Sequence, residues 1–205
     1  MQQTPFHAYY TARMLDAAIQ DNDFAPVFAS SGIEIYPFQI AAASFALHSN
    51  QKGAILCDEA GMGKSHEAML VMVQKWLEGC RRILLCIPNA DLLNQWLELL
   101  NEYYTVPFVS IVNTNDWNNN GKTFEQDGIV ITTYDFACEH FNEARAVDWE
   151  LTVFEEANVL SGVYLPDNKQ AKTLKNISKN SFKLLLTGTP IEKNIMDLYG
   201  LVWFI

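Results

Sequence analysis

The stretch Ala54-Ile-Leu-Cys-Asp-Glu-Ala-Gly-Met-Gly-Lys-Ser65 constrains the fold more than any other part of the chain. An apolar run of strand length ends in a loop with two glycines, a lysine and a hydroxyl, and an apolar helical pattern starts at once. The order is strand, phosphate loop, helix. Gly61 and Gly63 let backbone N–H groups close around phosphate oxygens, and the start of the next helix adds partial positive charge. In such a loop, with Met62 between the glycines, Lys64 reaches the β- and γ-phosphates and the Ser65 hydroxyl takes one position on Mg²⁺. Asp58 stands where the general pattern G-x-x-x-x-G-K-[ST] has its first glycine. The competing interpretation is an ordinary glycine-rich turn capping a helix.

A chain of 205 residues that is 49% hydrophobic can bury the core of one good-sized domain. No apolar run approaches bilayer-spanning length. The N-terminus, Met1-Gln-Gln-Thr-Pro-Phe-His7, lacks the basic-then-apolar order of a signal peptide, so an intracellular protein with no membrane partner is expected. Cys57, Cys80, Cys86 and Cys138 show no metal-ligand spacing and read as reduced thiols. A net charge of −10 argues against a surface that is basic all over, so any nucleic-acid contact is local.

Along the chain, Tyr10, Met14, Leu15 and Ile19 give residues 7–21 one apolar helical face, and turn-rich segments follow. Residues 35–47 read as a helix with Pro37 in its first turn, where a missing N–H costs nothing. Its polar Gln39 suits the edge of an adenine, with Tyr36 or Phe38 available to stack; the plainer expectation is a polar residue on the outer face. After the loop, residues 66–77 continue as a helix that ends near Gly79. Residues 82–88 form an apolar strand, and Asn89 can cap the helix over 92–100. Further strands are expected at 106–112, within 129–135 where a strand runs into a turn, at 151–154 and at 183–187, the last followed by a turn and a final helix. Residues 113–122 read as a polar surface loop. Lys169, Lys172, Lys175, Lys179 and Lys183 read as a solvated face in a region that includes a helix.

Apolar strands alternating with helices predict an α/β domain, a mainly parallel sheet with helices on both faces. Ligands of such sheets sit at the carboxyl ends of strands, and the polar motifs at Asp58, Pro88, Thr132, Glu155 and Thr187 all lie at such ends. Glu155 and Glu156 directly follow Val153-Phe154. A nucleotide hydrolase needs one carboxylate for Mg²⁺ and one to orient or deprotonate water, and adjacent acids at a strand end can supply both. Two solvated acids are the plain alternative.

These segments together resemble the Swi/Snf-type ATPases of helicase superfamily two, in their first RecA-like lobe. Tyr36-Pro-Phe-Gln39 is similar to the family's Arg-Pro-Tyr-Gln, and Asp58–Ser65 to its Asp-Glu-Met-Gly-Leu-Gly-Lys-Thr. The segment from Cys86 to Trp96 resembles Cys-Pro-x-Ser-Leu-Leu-x-Gln-Trp, Ile131–Asp135 resembles Ile-Thr-Thr-Tyr-Glu/Asp, and Leu184–Tyr199 resembles Leu-Leu-Leu-Thr-Gly-Thr-Pro-Ile-x-Asn-Asn.

The resemblance implies a three-layer RecA-like lobe over 33–205, after an N-terminal helical extension over 1–32. It implies a DEAD/DEAH-box-like, DNA-dependent ATPase that uses ATP and Mg²⁺, translocates on double-stranded DNA and remodels protein–DNA complexes. Gln39 would read adenine, and Gly61, Met62, Gly63, Lys64 and Ser65 would hold the nucleotide. Ser65 and Glu155 would face the metal, with Lys64, Glu155 and Glu156 catalytic. Pro88, Asn89, Thr132 and Thr133 would grip the duplex backbone, without reading sequence, while Thr187, Gly188 and Thr189 would couple the nucleotide site to DNA movement.

Three departures stand out: Glu155 for the metal-facing Asp, Asn158 for the His of the Asp-Glu-Ala-His box, and Tyr36 for Arg. One extra methylene can upset an octahedral Mg²⁺ shell, so a hydrolysis-impaired nucleotide-binding scaffold is the alternative expectation. An unrelated phosphate-loop kinase leaves Thr187-Gly-Thr-Pro190 unexplained. The apolar ending Leu198–Ile205 reads as a fragment whose parent carries a second RecA-like lobe that donates an arginine, so this lobe alone is expected to hydrolyse ATP slowly. The low basicity points to a prokaryotic, nucleoid-associated cytoplasmic protein more than a nuclear one.

Overall fold

The computed structural model describes residues 35–103, 106–119 and 122–205. The helix expected over 7–21, the turns after it and the boundary between 32 and 33 lie outside the described residues. In chain order the helices are α1 (Pro37–Leu47), α2 (Lys64–Leu77), α3 (Leu93–Tyr103), α4 (Thr114–Asn119), α5 (Tyr134–Glu139), α6 (Phe141–Ala146), α7 (Lys169–Ile177) and α8 (Ile195–Phe204). The strands are β1 (Gly53–Leu56), β2 (Arg82–Ile87), β3 (Phe108–Ile111), β4 (Gly128–Thr133), β5 (Leu151–Phe154) and β6 (Phe182–Leu186). Short 3-10 turns cover Ala90–Leu92 and Ala157–Leu160.

Local chemistry explains the element ends. Pro37 opens α1, where its lost N–H has no partner to miss, and the Gln39 side chain accepts the Tyr36 N–H at 3.0 Å. Past α2, Gly79 at φ +105 lets its own N–H and that of Cys80 return to the carbonyls of Trp76 and Lys75, each at 3.0 Å. Side chains of Asn89, Thr133, Asn168 and Asn194 accept backbone N–H groups at the starts of the Ala90 turn, α5, α7 and α8.

All strand pairs are parallel, in the order β1-β6-β5-β2-β4-β3. The strands read as unbroken apolar runs because both faces are covered. Ile83, Leu85 and Ile87 of β2 face a core with Ala43, Met69, Met72 and Trp96 of α1 to α3. Leu84 and Cys86 face the opposite core, with Tyr134, Leu174, Leu201 and Phe204. Full burial of one such large apolar side chain is worth about 1.5–3 kcal/mol, so the two cores dominate stability. Among the described residues the sheet is therefore wholly parallel where the sequence predicts mainly parallel, and the layers are three.

Two expectations change. Residues 114–119 form α4 within the expected polar loop, because Asn113 Oδ1 caps it by accepting the Asp116 N–H at 3.0 Å. The Trp117 ring anchors that segment against Phe124, Phe136 and His140. Lys183 is not on a solvated face. It lies in β6, 2% exposed, and donates to the Ile205 carbonyl at 3.2 Å, and burial with Lys175 and Lys52 nearby brings its ammonium down to about 8. Among the described residues no helix is long and apolar enough to cross a membrane.

Candidate active site

Strand order decides which motifs meet. Because β6 lies between β1 and β5, the phosphate-type loop, the Thr187–Thr189 turn and the Glu155–Glu156 pair sit side by side at the carboxyl ends of three adjoining strands. A cavity of about 590 Å³ opens there, lined by Gly61, Gly63, Lys64, Ser65, Glu155, Glu156, Gly188 and Thr189, among others. The Thr187 N–H donates to the Leu56 carbonyl at 3.1 Å, and its hydroxyl oxygen accepts the Thr189 N–H at 3.1 Å, which ties this turn to the end of β1.

Gly61 at φ +85 and Gly63 at φ +87 take the left-handed backbone that turns the loop into α2. A side chain at Gly63 would also put Cβ 2.3 Å from Gln39 Nε2. Gln39 is 4% exposed, so the outer-face expectation fails: its Nε2 donates to the Met62 carbonyl at 3.0 Å, and with Oε1 on Tyr36 it braces the loop from behind. Tyr36 and Phe38 stack at 5.8 Å with exposed rings. The Lys64 ammonium donates to the carbonyls of Asp58 at 2.7 Å and Glu59 at 3.2 Å, so the loop's own backbone holds the charge against the cavity.

The two acids diverge. Glu156 adopts φ +51, a left-handed conformation that costs a residue with Cβ roughly 1–2 kcal/mol, and its side chain is exposed. Glu155 points inward, 8% exposed, with Oε2 buried and unpartnered. Burial first, then Glu156, pushes the Glu155 carboxyl up to about 7 against the pull of Lys64. Its backbone is clamped: the N–H donates to the Cys86 carbonyl at 2.9 Å, and its carbonyl accepts the Tyr134 hydroxyl at 2.7 Å.

The expected duplex-facing residues divide. Pro88 and Asn89 lie at the open end of β2, with Asn89 Oδ1 taking the Asp91 N–H at 3.0 Å. Thr132 is fully buried, so its hydroxyl does not face a surface ligand. Thr133 is nearly buried and accepts the Phe136 N–H at 3.2 Å as the cap of α5. The Thr133 hydroxyl thus builds the strand end, and that of Thr132 is enclosed beneath it without a hydrogen-bond partner.

Four residues in or beside the site escape sequence reasoning. Glu67 is fully buried with both carboxyl oxygens unpartnered, and burial, then Asp58, raises it to about 8. Its signal is an acid one turn after Lys64, inside the helical face that packs inward. Gln95 and Glu98 of α3 line the far wall of the cavity. Their spacing of three residues on one helix face is the only sequence signal. Glu192 accepts Asn158 Nδ2 at 2.7 Å and the Thr189 hydroxyl at 3.3 Å.

A nucleotide with a divalent cation fits these residues. The cavity falls in the range of roughly 300–1,000 Å³ common for small-molecule sites. The positive-φ glycines leave the loop's backbone open, and the unpartnered Glu155 oxygen is a hard donor of the kind Mg²⁺ takes. Among the described residues no three His, Cys, Asp or Glu side chains gather as a metal cage.

The sequence matches the SNF2-related domain family over residues 38–205. It is 28% identical over 197 residues to the uncharacterized ATP-dependent helicase YqhH of Bacillus subtilis, covering 92% of this chain and 33% of that protein. It is 23% identical over 181 residues to the ISWI chromatin-remodeling complex ATPase ISW1 of Saccharomyces cerevisiae, covering 84% of this chain and 16% of that one. The chain thus spans a third or less of the length of these relatives. Among solved structures, the Sulfolobus solfataricus SWI2/SNF2 ATPase core in complex with dsDNA shares the fold, with a TM-score of 0.73 at 24% identity over 86% of this chain and 36% of that one. With the match running from α1 to the end of α8, the chain belongs to the SNF2-related domain family.

Proposed function

We propose that residues 33–205 are the first, ATP-binding lobe of a DNA-dependent ATPase that moves on double-stranded DNA and remodels protein–DNA complexes, in concert with a second RecA-like lobe. The observation that carries this is the convergence of Lys64, Ser65, Glu155, Glu156, Gly188 and Thr189 on one cavity. Gly61, Gly63 and Lys64 bind phosphate oxygens, while Met62 lends its carbonyl to Gln39. Through that contact Gln39 supports the loop, with a part of its amide left over for adenine. Ser65 and Glu155 hold Mg²⁺, which when bound neutralises charge on the phosphates. Glu156, exposed into the cavity, orients or deprotonates the attacking water. The turn that Pro88 and Asn89 form ahead of α3 receives a duplex phosphate, with the Asn89 N–H as donor and Pro88, which has no N–H, shaping the approach. Thr187, Gly188 and Thr189 report nucleotide occupancy to the DNA-facing side. A relative from Bacillus subtilis fits a prokaryotic, nucleoid-associated cytoplasmic setting, beside eukaryotic chromatin-remodeling relatives such as the yeast one.

A second interpretation, a nucleotide-binding scaffold with impaired turnover, draws on Glu155, whose longer and mostly buried carboxyl is raised to about 7. Equilibrium binding of a fluorescent ATP analogue to the full-length protein, with and without Mg²⁺, tests the shared premise. Saturable binding that Mg²⁺ strengthens and Lys64→Ala abolishes is expected. Binding indifferent to Lys64→Ala contradicts both interpretations.

A further inference from the structure

The nucleotide-facing strand ends belong to β1, β6 and β5, whereas the expected duplex-facing ends belong to β2 and β4. One buried side chain joins the two halves across β2. Tyr134, the first residue of α5, is 1% exposed, and its hydroxyl donates to the Glu155 carbonyl at 2.7 Å. The same Glu155 is bonded through its N–H to Cys86 of β2, so the residue that carries the buried carboxylate is held from the end of the adjoining β2 and, beyond it, from the β4–α5 junction. The Tyr134 ring packs against Phe154 at 6.2 Å, and the preceding Thr133 caps α5 through the Phe136 N–H. Tyr134 is therefore fixed to the β4–α5 junction by its backbone and to the carboxylate strand by its hydroxyl.

We propose that Tyr134 is a positioning residue that transmits duplex occupancy at the β4 end to the Glu155–Glu156 peptide, and so sets how far DNA accelerates turnover. The argument is geometric. Glu156 sits in a left-handed conformation directly after the carbonyl that Tyr134 holds, so a small shift of α5 rotates that peptide and moves both carboxylates relative to Lys64. Neither threonine hydroxyl before it is presented at the surface, which leaves backbone movement of the junction as the signal and the tyrosine hydroxyl as its receiver. The inference rests on the DNA-dependent ATPase interpretation above.

The test is Tyr134→Phe in the full-length protein, which deletes one oxygen and keeps the ring in its packed site. ATP turnover is measured with and without duplex DNA, together with the KM for ATP, the half-saturating duplex concentration and the melting temperature. The expected result is a loss of duplex-stimulated kcat of about fivefold or more, the usual scale of coupling between sites, with KM for ATP and duplex affinity unchanged. Full stimulation in Tyr134→Phe overturns the inference alone. So does a loss that follows duplex affinity, or one that disappears on assay at a temperature matched to the altered melting point. A wild-type protein that hydrolyses ATP without any response to duplex overturns the underlying interpretation as well.

Discussion

Asn158 Nδ2 donates to Glu192 Oε1 at 2.7 Å, and the same oxygen accepts the Thr189 hydroxyl at 3.3 Å. The box after β5 and the turn after β6 are thus joined through one carboxylate, at the position where the resembled family carries histidine in place of Asn158. Glu192 itself is steadied by Asp197, whose Oδ2 gathers the N–H groups of Glu192, Lys193 and Asn194 at 3.1, 2.7 and 3.2 Å. These three hydrogen bonds hold the Asp197 carboxyl below its usual range.

Asn158→Ala and Glu192→Ala are each expected to slow ATP turnover, and Glu192→Ala to leave the melting temperature nearly unchanged, because Glu192 is exposed. Their effects should not add: a double-mutant cycle on kcat is expected to show a coupling of about 1 kcal/mol. Strict additivity would remove the link.

Gly63→Ala introduces two faults, a left-handed backbone at φ +87 and a Cβ 2.3 Å from Gln39 Nε2. The backbone alone costs roughly 1–2 kcal/mol. Loss of nucleotide binding with a folded circular-dichroism spectrum is expected. Gln39→Ala relieves the clash and leaves the backbone fault, so the double variant should recover stability in part by denaturant unfolding.

Glu67 makes stability depend on pH. Its folded-state value of about 8 lies above the ordinary 4.5, so the folded state holds a proton that the unfolded chain releases between those values. Stability from this group is full below about 4.5 and falls as pH rises through about 8. Melting temperatures followed across that window should decline less in Glu67→Gln, which cannot ionise, than in the wild type. Parallel curves for the two proteins contradict the assignment.

Glu155→Asp shortens the metal-facing carboxylate by one methylene. If the longer side chain strains an octahedral Mg²⁺ shell, kcat for ATP should rise, with the Mg²⁺ concentration for half-maximal turnover falling. An unchanged kcat removes that reason for expecting weak hydrolysis.

Much of the fold was legible because its signals are local. Apolar runs of strand length alternate with helical patterns, and the loop at Gly61–Ser65 marks which strand end carries chemistry. Burial on both sheet faces, which makes β2 read as Ile-Leu-Leu-Cys-Ile, is the same fact seen from sequence and from structure. The outer-face expectation for Gln39 and the solvated-face expectation for Lys183 fail because pattern shows polarity and not depth: each is buried beside partners far away in the chain, Met62 for one and Ile205 for the other. The helix at 114–119 was hidden because its anchor, Trp117, packs on residues of α5 and the segment before β4. Tyr134 was visible as a motif letter, but its bond to a carbonyl 21 positions on depends on strand order, which no local pattern encodes.

The most direct test of the central claim is ATP hydrolysis by the full-length protein, with and without duplex DNA, beside a Lys64→Ala control. Turnover that the duplex stimulates and the control abolishes is the predicted result. Saturable ATP binding with no turnover under any duplex concentration would contradict the motor and leave the nucleotide-binding scaffold.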